Sequence, residues 1–132
     1  MTIRAALPTD AISLQNLIND AFKRKDTGQI ELSYFDQPNI ITLIATEDET
    51  ILGTASLHIL PKIDRCMGQI EDVVVSPKAQ GKGIGHMLIK ALLDLSSAQK
   101  CYKIILNTAI ETAPFYEKMG FEKGEIQMKI KK

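Results

Sequence analysis

The sequence predicts an α/β protein, a twisted mixed sheet flanked by helices and organised around a central strand–helix–strand unit. Three stretches carry that expectation. "QIEDVVV" ends in the apolar, β-branched run of a central strand. "IGHMLIKALLDLSSA" places Leu88, Ala91, Leu92 and Leu95 on one helical face. "YKIILN" is a second strand of the buried type. Strand, loop, helix and strand over residues 69–107 form a βαβ unit, so its two strands should run parallel with a right-handed crossover.

The other elements follow in chain order. "IRAA" predicts a first strand. Pro8, Thr9 and Asp10 signal a helix start, and Leu14, Leu17, Ile18, Ala21 and Phe22 recur at helical spacing. "KRKDTGQIELSYFDQPN" is polar and irregular, a long loop or broken helix, and loops of that length are often functional. "IITLIAT" and "ILGTASLHI" flank the acidic turn "EDET" and predict a hairpin. Residues 112–119 predict a short helix stopped by Gly120. "EIQMKIKK" alternates apolar and polar residues, as an edge strand in need of a partner would. No repeat or linker divides residues 1–132, which are expected to form one domain.

The chain has 132 residues, enough for one core and too few for two. Lysine plus arginine and aspartate plus glutamate number 16 each. No global field draws the protein to nucleic acid or an anionic membrane, so an anionic ligand must be held by local groups. The polar amino terminus resembles neither a signal peptide nor a membrane span, and a reduced, cytoplasmic setting is expected. Cys66 and Cys101 have neither disulfide-framework nor zinc spacing, and His58 and His86 complete no metal set, so no metal is expected.

The chemistry gathers in "VSPKAQGKGIGHML", residues 75–88. Gly81, Gly83 and Gly85 alternate between a strand and a helix. Such a loop presents unpaired N–H groups at the positive end of the helix dipole, and glycines let phosphate oxygens approach closely. A plain turn with glycines for geometry is the alternative. A P-loop needs Ser or Thr after Gly-Lys, and Gly83 follows Lys82. The dinucleotide fingerprint needs its third glycine one residue later than Gly85.

The spacing that fits is Gln80, Gly83, Gly85. It resembles the pyrophosphate signature of the GNAT family of N-acetyltransferases, which bind acetyl-CoA. "GTASLHILPKI", "GQIEDVVVSPKAQGKGIGHMLI", "CYKIIL" and "FYEKMGF" further resemble, in order and spacing, the glucosamine 6-phosphate N-acetyltransferases of that family. The amino-terminal third matches loosely and is abbreviated. The resemblance implies a GNAT fold whose βαβ unit binds acetyl-CoA, with direct acetyl transfer to the amine of glucosamine 6-phosphate. Another small-molecule or protein amine, or a catalytically silent acyl-CoA-binding module, are the alternatives.

The same resemblance implies the site. Val73, Val74 and Val75 would bond the pantetheine arm through their backbone, where the strand splays from "YKIILN", and an N–H near Val73 would meet the thioester oxygen. Gln80, Gly81, Lys82, Gly83, Ile84, Gly85 and His86 would cradle the pyrophosphate, with Asn107, Thr112 and Phe115 also beside the coenzyme. Tyr116 would protonate the departing thiolate; a phenol with a pKa near ~10 is protonated at neutral pH. Glu71 and Asp72 would bind the sugar and accept the amine proton through water. As strand neighbours they are expected on opposite faces. Thr27, Ile59, Leu60, Pro61, Lys62, Val73, Tyr102, Lys103 and Lys131 complete the implied sugar-phosphate site. Lys131 stands where the family usually has arginine and lacks its bidentate fork. Asn107 replaces an aspartate expected near the reacting centre, and Thr112 an asparagine. The resemblance also implies a homodimer with interleaved carboxyl-terminal strands, Lys131 reaching its partner's substrate.

Overall fold

In the computed structural model, which describes residues 1–24 and 29–132, the strands form one sheet in the order β1 (Thr2–Ala5), β2 (Ile40–Glu47), β3 (Thr50–Pro61), β4 (Cys66–Val75), β5 (Ile104–Ile105). The first three pairings are antiparallel and β4–β5 is parallel, so the sheet is mixed as predicted. Two long helices, α1 (Ala11–Phe22) and α2 (Ile84–Ala98), cover it, and α3 (Ala113–Glu117) follows β5.

Alternation along the strands decides which helix each residue meets. Leu43 faces Ala55 and Leu57 faces Ile70 across the ladders. This apolar face packs against Leu88, Ile89 and Leu92 of α2 in one buried cluster. Thr42, Ile44, Thr54, Ser56 and Val74 belong to the other face, under Leu14 and Ile18 of α1. Leu88 is 0% exposed. Leu88→Ala is therefore expected to cost about 2–5 kcal/mol, measurable by urea unfolding; a loss within error would show that the α2 face is not core.

The predicted helix start is present. Arg4 donates to both carboxylate oxygens of Asp10 at 2.9 and 3.0 Å, and the Leu7 N–H donates to the same carboxylate at 2.7 Å. These bonds hold the Asp10 carboxyl below its ordinary range, the Arg4 bond contributing most, and tie β1 to α1. The loop after α1 contains a 3-10 turn at Leu32–Asp36. Thr27, in the implied sugar-phosphate site, lies outside the described residues.

Two expectations about strands need correction. "YKIILN" contributes only Ile104–Ile105, opposite Gly68 and Gln69. The contact is close, since a Cβ on Gly68 would lie 2.6 Å from Ile104 Cδ1 and 2.8 Å from Leu57 Cδ1. Beyond it the chain leaves β4. The final strand is also absent: residues 121–132 form no strand within the chain. Ile126, Met128 and Ile130 are 87, 87 and 83% exposed, paired with no strand among the described residues.

Candidate active site

β4 extends to Val75 whereas its pairing with β5 stops at Gln69. Among the described residues, the β5-side edge of β4 past Gln69 therefore has no strand partner. The splay expected from the sequence is present, and it opens beside Val73, Val74 and Val75. Strand edges carry unpaired N–H and C=O groups that pair readily with an extended ligand.

The chain passes from Val75 through a 3-10 turn, Pro77–Ala79, into the glycine loop and α2. Gly81 and Gly83 have φ of 82° and 79°, and a Cβ on either would meet nothing within 4 Å. Their backbone conformation, rather than crowding by the protein, requires glycine. Gly83 is the α2 N-cap and offers no side chain to bond the first turn. The leading N–H groups, including those of Ile84, Gly85 and His86, thus have no side-chain cap at the positive end of the dipole. Gln80, Gly81, Lys82, Gly83 and His86 are all exposed. An anion fits here.

α3 closes on the same place. A Cβ on Gly85 would lie 3.6 Å from the Phe115 ring and 3.7 Å from Val75, so helix start, strand end and α3 converge. Phe115 meets Tyr116 edge-on at 5.0 Å, and Tyr116 meets Phe121 at 5.8 Å. Tyr116 is 9% exposed, and burial raises its phenol above the ordinary 10.0. It stays protonated at neutral pH and can donate. With Asn107 it lines an open cleft of about 980 Å³ between β5, α3 and the carboxyl-terminal arm. Thr112, at the α3 N-cap position, is exposed and makes no side-chain cap.

The expected opposition of Glu71 and Asp72 does not hold. Asp72 has φ 54°, and the β3–β4 register shifts between Thr54 and Ser56. This is a β-bulge, and it breaks the alternation. Glu71 pairs with Ser56 and so shares its face. Asp72 lines a cleft with that same Ser56. Both acids thereby serve one side of the sheet, where Glu71 also accepts a 2.9 Å hydrogen bond from Gln69 Nε2.

The cleft beside Asp72 holds about 260 Å³ under α1. At its floor Tyr34, Thr42 and Ser56 form a ring of hydroxyls, with distances of 2.9, 3.0 and 2.8 Å. Arg24, following α1, also lines it. None of these four was evident as a site residue in the sequence; the only signal was the polar loop that carries Arg24 and Tyr34.

Most of the remaining predicted substrate residues lie toward the other end of β4, although Lys103 also lines the Tyr116 cleft. Pro61 pairs with Cys66, the Tyr102 N–H donates to the Cys66 carbonyl at 3.0 Å, and the Gly68 N–H donates to Lys103 at 3.0 Å. Ile59, Leu60, Lys62, Tyr102 and Lys103 thus gather at the Cys66 end of β4. Glu71 is five positions along β4 from Cys66, about 17 Å along a strand. Arg65 stacks 3.7 Å over the Tyr102 ring. Lys103 lies 3.8 Å from Glu125, an exposed pair of little energetic weight. Lys131 is exposed. One chain brings the coenzyme-side residues together and adds Lys103 to the cleft that Tyr116 and Asn107 line, whereas Lys62 sits at the Cys66 end of β4.

A splayed parallel pair, an uncapped glycine turn and an adjacent tyrosine define an acyl-CoA-dependent class of enzyme. The chain belongs to the acetyltransferase (GNAT) family, whose model matches residues 11–121. Within that family, a glucosamine 6-phosphate N-acetyltransferase of Trypanosoma brucei brucei is 38% identical over 128 residues, 95% of this chain and 79% of the relative. The enzyme of that name from Arabidopsis thaliana is 36% identical over 104 residues, covering 74% and 68%. The crystal structure of a Trypanosoma brucei acetyltransferase superposes with a TM-score of 0.87 at 34% identity, covering 98% of both chains.

Proposed function

We propose that this protein transfers the acetyl group of acetyl-CoA to the amine of glucosamine 6-phosphate, releasing CoA and N-acetylglucosamine 6-phosphate. The observation that carries the coenzyme half is the convergence of Val75, Gly85 and Phe115 where β4 loses its partner. The sugar half rests on the relatives and on the two acids brought to one side by the bulge.

The chain's own groups suffice for direct transfer. The β4 edge holds the pantetheine amides, and the α2 turn holds the pyrophosphate by its N–H groups. The N–H near Val73 stabilises charge on the thioester oxygen as the amine attacks. Glu71 or Asp72 takes the amine proton through water, and Tyr116 donates its proton to the departing sulfur. No covalent acyl-enzyme is needed. Thiol release with glucosamine 6-phosphate, unphosphorylated glucosamine and a panel of other amines tests the acceptor. The sugar phosphate is expected to lead in kcat/KM; a better unrelated amine would overturn the assignment.

The working unit in this reading is a homodimer. The alternating apolar stripe of Ile126, Met128 and Ile130 lacks cover within one chain. A second copy supplies that cover, with Lys131 beside the partner's substrate. Mixing Lys131→Ala with Tyr116→Phe subunits is expected to restore activity, since one site of the hybrid keeps both residues. A sedimentation profile that is monomeric at assay concentrations overturns the dimer.

A further inference from the structure

We propose that Cys66 and Cys101 form a reversible redox pair whose disulfide staples β4 to the start of β5, at the closed end of the splay that receives the coenzyme. The inference holds whichever amine is acetylated.

Their spacing in sequence marks no disulfide framework, but the fold sets the two cysteines side by side. The Tyr102 N–H donates to the Cys66 carbonyl at 3.0 Å, and the Gly68 N–H donates to the Lys103 carbonyl at 3.0 Å. The parallel ladder therefore runs back from Gly68 and Ile104 to both cysteines. Each sulfur lies against the other's stretch of chain. Cys66 Sγ is 3.5 Å from the Gln99 carbonyl oxygen and 3.9 Å from that of Lys100. Cys101 Sγ lies 3.6 Å from where a Cβ on Gly68 would stand. Burial first, and then the Cys66 thiol beside it, raise the Cys101 thiol above its ordinary range. Both residues are part-exposed, so a small reagent can reach them, and the chain has no third cysteine to compete.

The oxidant is a low-molecular-weight disulfide. One cysteine loses its proton, and its thiolate attacks a sulfur of that disulfide; one small thiol leaves and a mixed disulfide forms. The second cysteine's thiolate then attacks the protein-side sulfur, forming the Cys66–Cys101 bond and releasing the second small thiol. The two cysteine protons end on the two released thiols. Excess thiol reverses both steps, so the pair stays open in a reducing pool and closes as disulfide accumulates.

Two register pairs hold β5, Gly68 with Ile104 and Gln69 with Ile105, and the splay begins where they end. The new bond closes a loop that spans β4, the glycine turn and α2, which restricts the unfolded chain and tethers β5 beside its short ladder. Val75 stands at the opposite end of β4, so the coenzyme contacts keep their geometry.

The test incubates wild type, Cys66→Ser and Cys101→Ser with excess oxidised glutathione, then follows free thiols, intact mass, Tm and acetyl-CoA binding. Wild type is expected to lose both thiols and two hydrogens, with no glutathione retained. Its Tm should rise by about 5–15 °C, and it should hold acetyl-CoA at temperatures where the reduced protein has released it. Dithiothreitol should cancel both effects. Each serine variant should retain one glutathione and gain no Tm. Wild type that keeps its thiols, or carries glutathione on each cysteine, overturns the pair. A bond that joins two copies instead, seen on a non-reducing gel, does the same. An internal disulfide that leaves Tm and acetyl-CoA binding unchanged overturns the staple.

Discussion

Tyr116→Phe is expected to lower turnover by ~10²–10⁴-fold, the usual contribution of a positioned acid, with little change in the KM for acetyl-CoA. The thiolate develops only along the reaction path, so the phenol's proton stabilises the transition state more than the bound substrates. The ring stays: Phe115 and Phe121 pack against it edge-on, and phenylalanine preserves that packing. Stopped-flow measurement of the chemical step distinguishes this from slow product release; an unchanged rate for that step would remove Tyr116 from catalysis. Burial raises this phenol above 10.0, so it should impose no alkaline limb on the rate below about pH 10. The same shift bears on stability. An unfolded tyrosine ionises near pH ~10 whereas the buried one holds its proton, so stability from this group is intact below that pH and falls as pH rises through the folded value.

Gly83→Val is expected to weaken acetyl-CoA binding by at least ~10-fold, since several N–H bonds to phosphate depend on one close approach and each charged hydrogen bond is commonly worth that much. Its φ of 79° adds a second effect. A β-branched residue in the left-handed region is strained by about 1–3 kcal/mol, so a lower Tm should accompany the loss of affinity. The surrounding space is open, so the fold should survive. Calorimetry with acetyl-CoA, alongside a thermal scan, separates the two effects. Full affinity at reduced Tm would mean that the loop is a turn and nothing more.

The sequence disclosed what repeats and what is spelled locally. α2 ends where its apolar face predicts, Ile84–Ala98, because Leu88 and Leu92 meet a sheet whose alternation was equally visible. The hairpin and the parallel pair were readable for the same reason. The glycine loop was readable because backbone geometry demands glycine, whatever binds there. The bulge was not. Nothing in Glu71-Asp72-Val73 announces a left-handed aspartate; the register shift arises from how β3 and β4 pair, so a rule of strict alternation put the two acids on opposite faces. The hydroxyl ring was hidden because Tyr34, Thr42 and Ser56 come from three separate elements and meet only on folding. Arg24 sat in a run of charges that resembles any solvated loop. The alternation of the carboxyl-terminal segment was correctly seen, but a periodic stripe states only that a partner is needed and not whether the same chain supplies it.

Direct transfer from acetyl-CoA to the sugar amine is the central claim, and two-substrate initial rates test it most directly. Thiol release is followed while acetyl-CoA and glucosamine 6-phosphate are varied against each other. The account predicts saturation in both substrates and intersecting double-reciprocal lines, because both must be bound before the amine attacks. Parallel lines, the kinetic fingerprint of a covalent acyl-enzyme, or thiol release independent of the sugar phosphate, would contradict it.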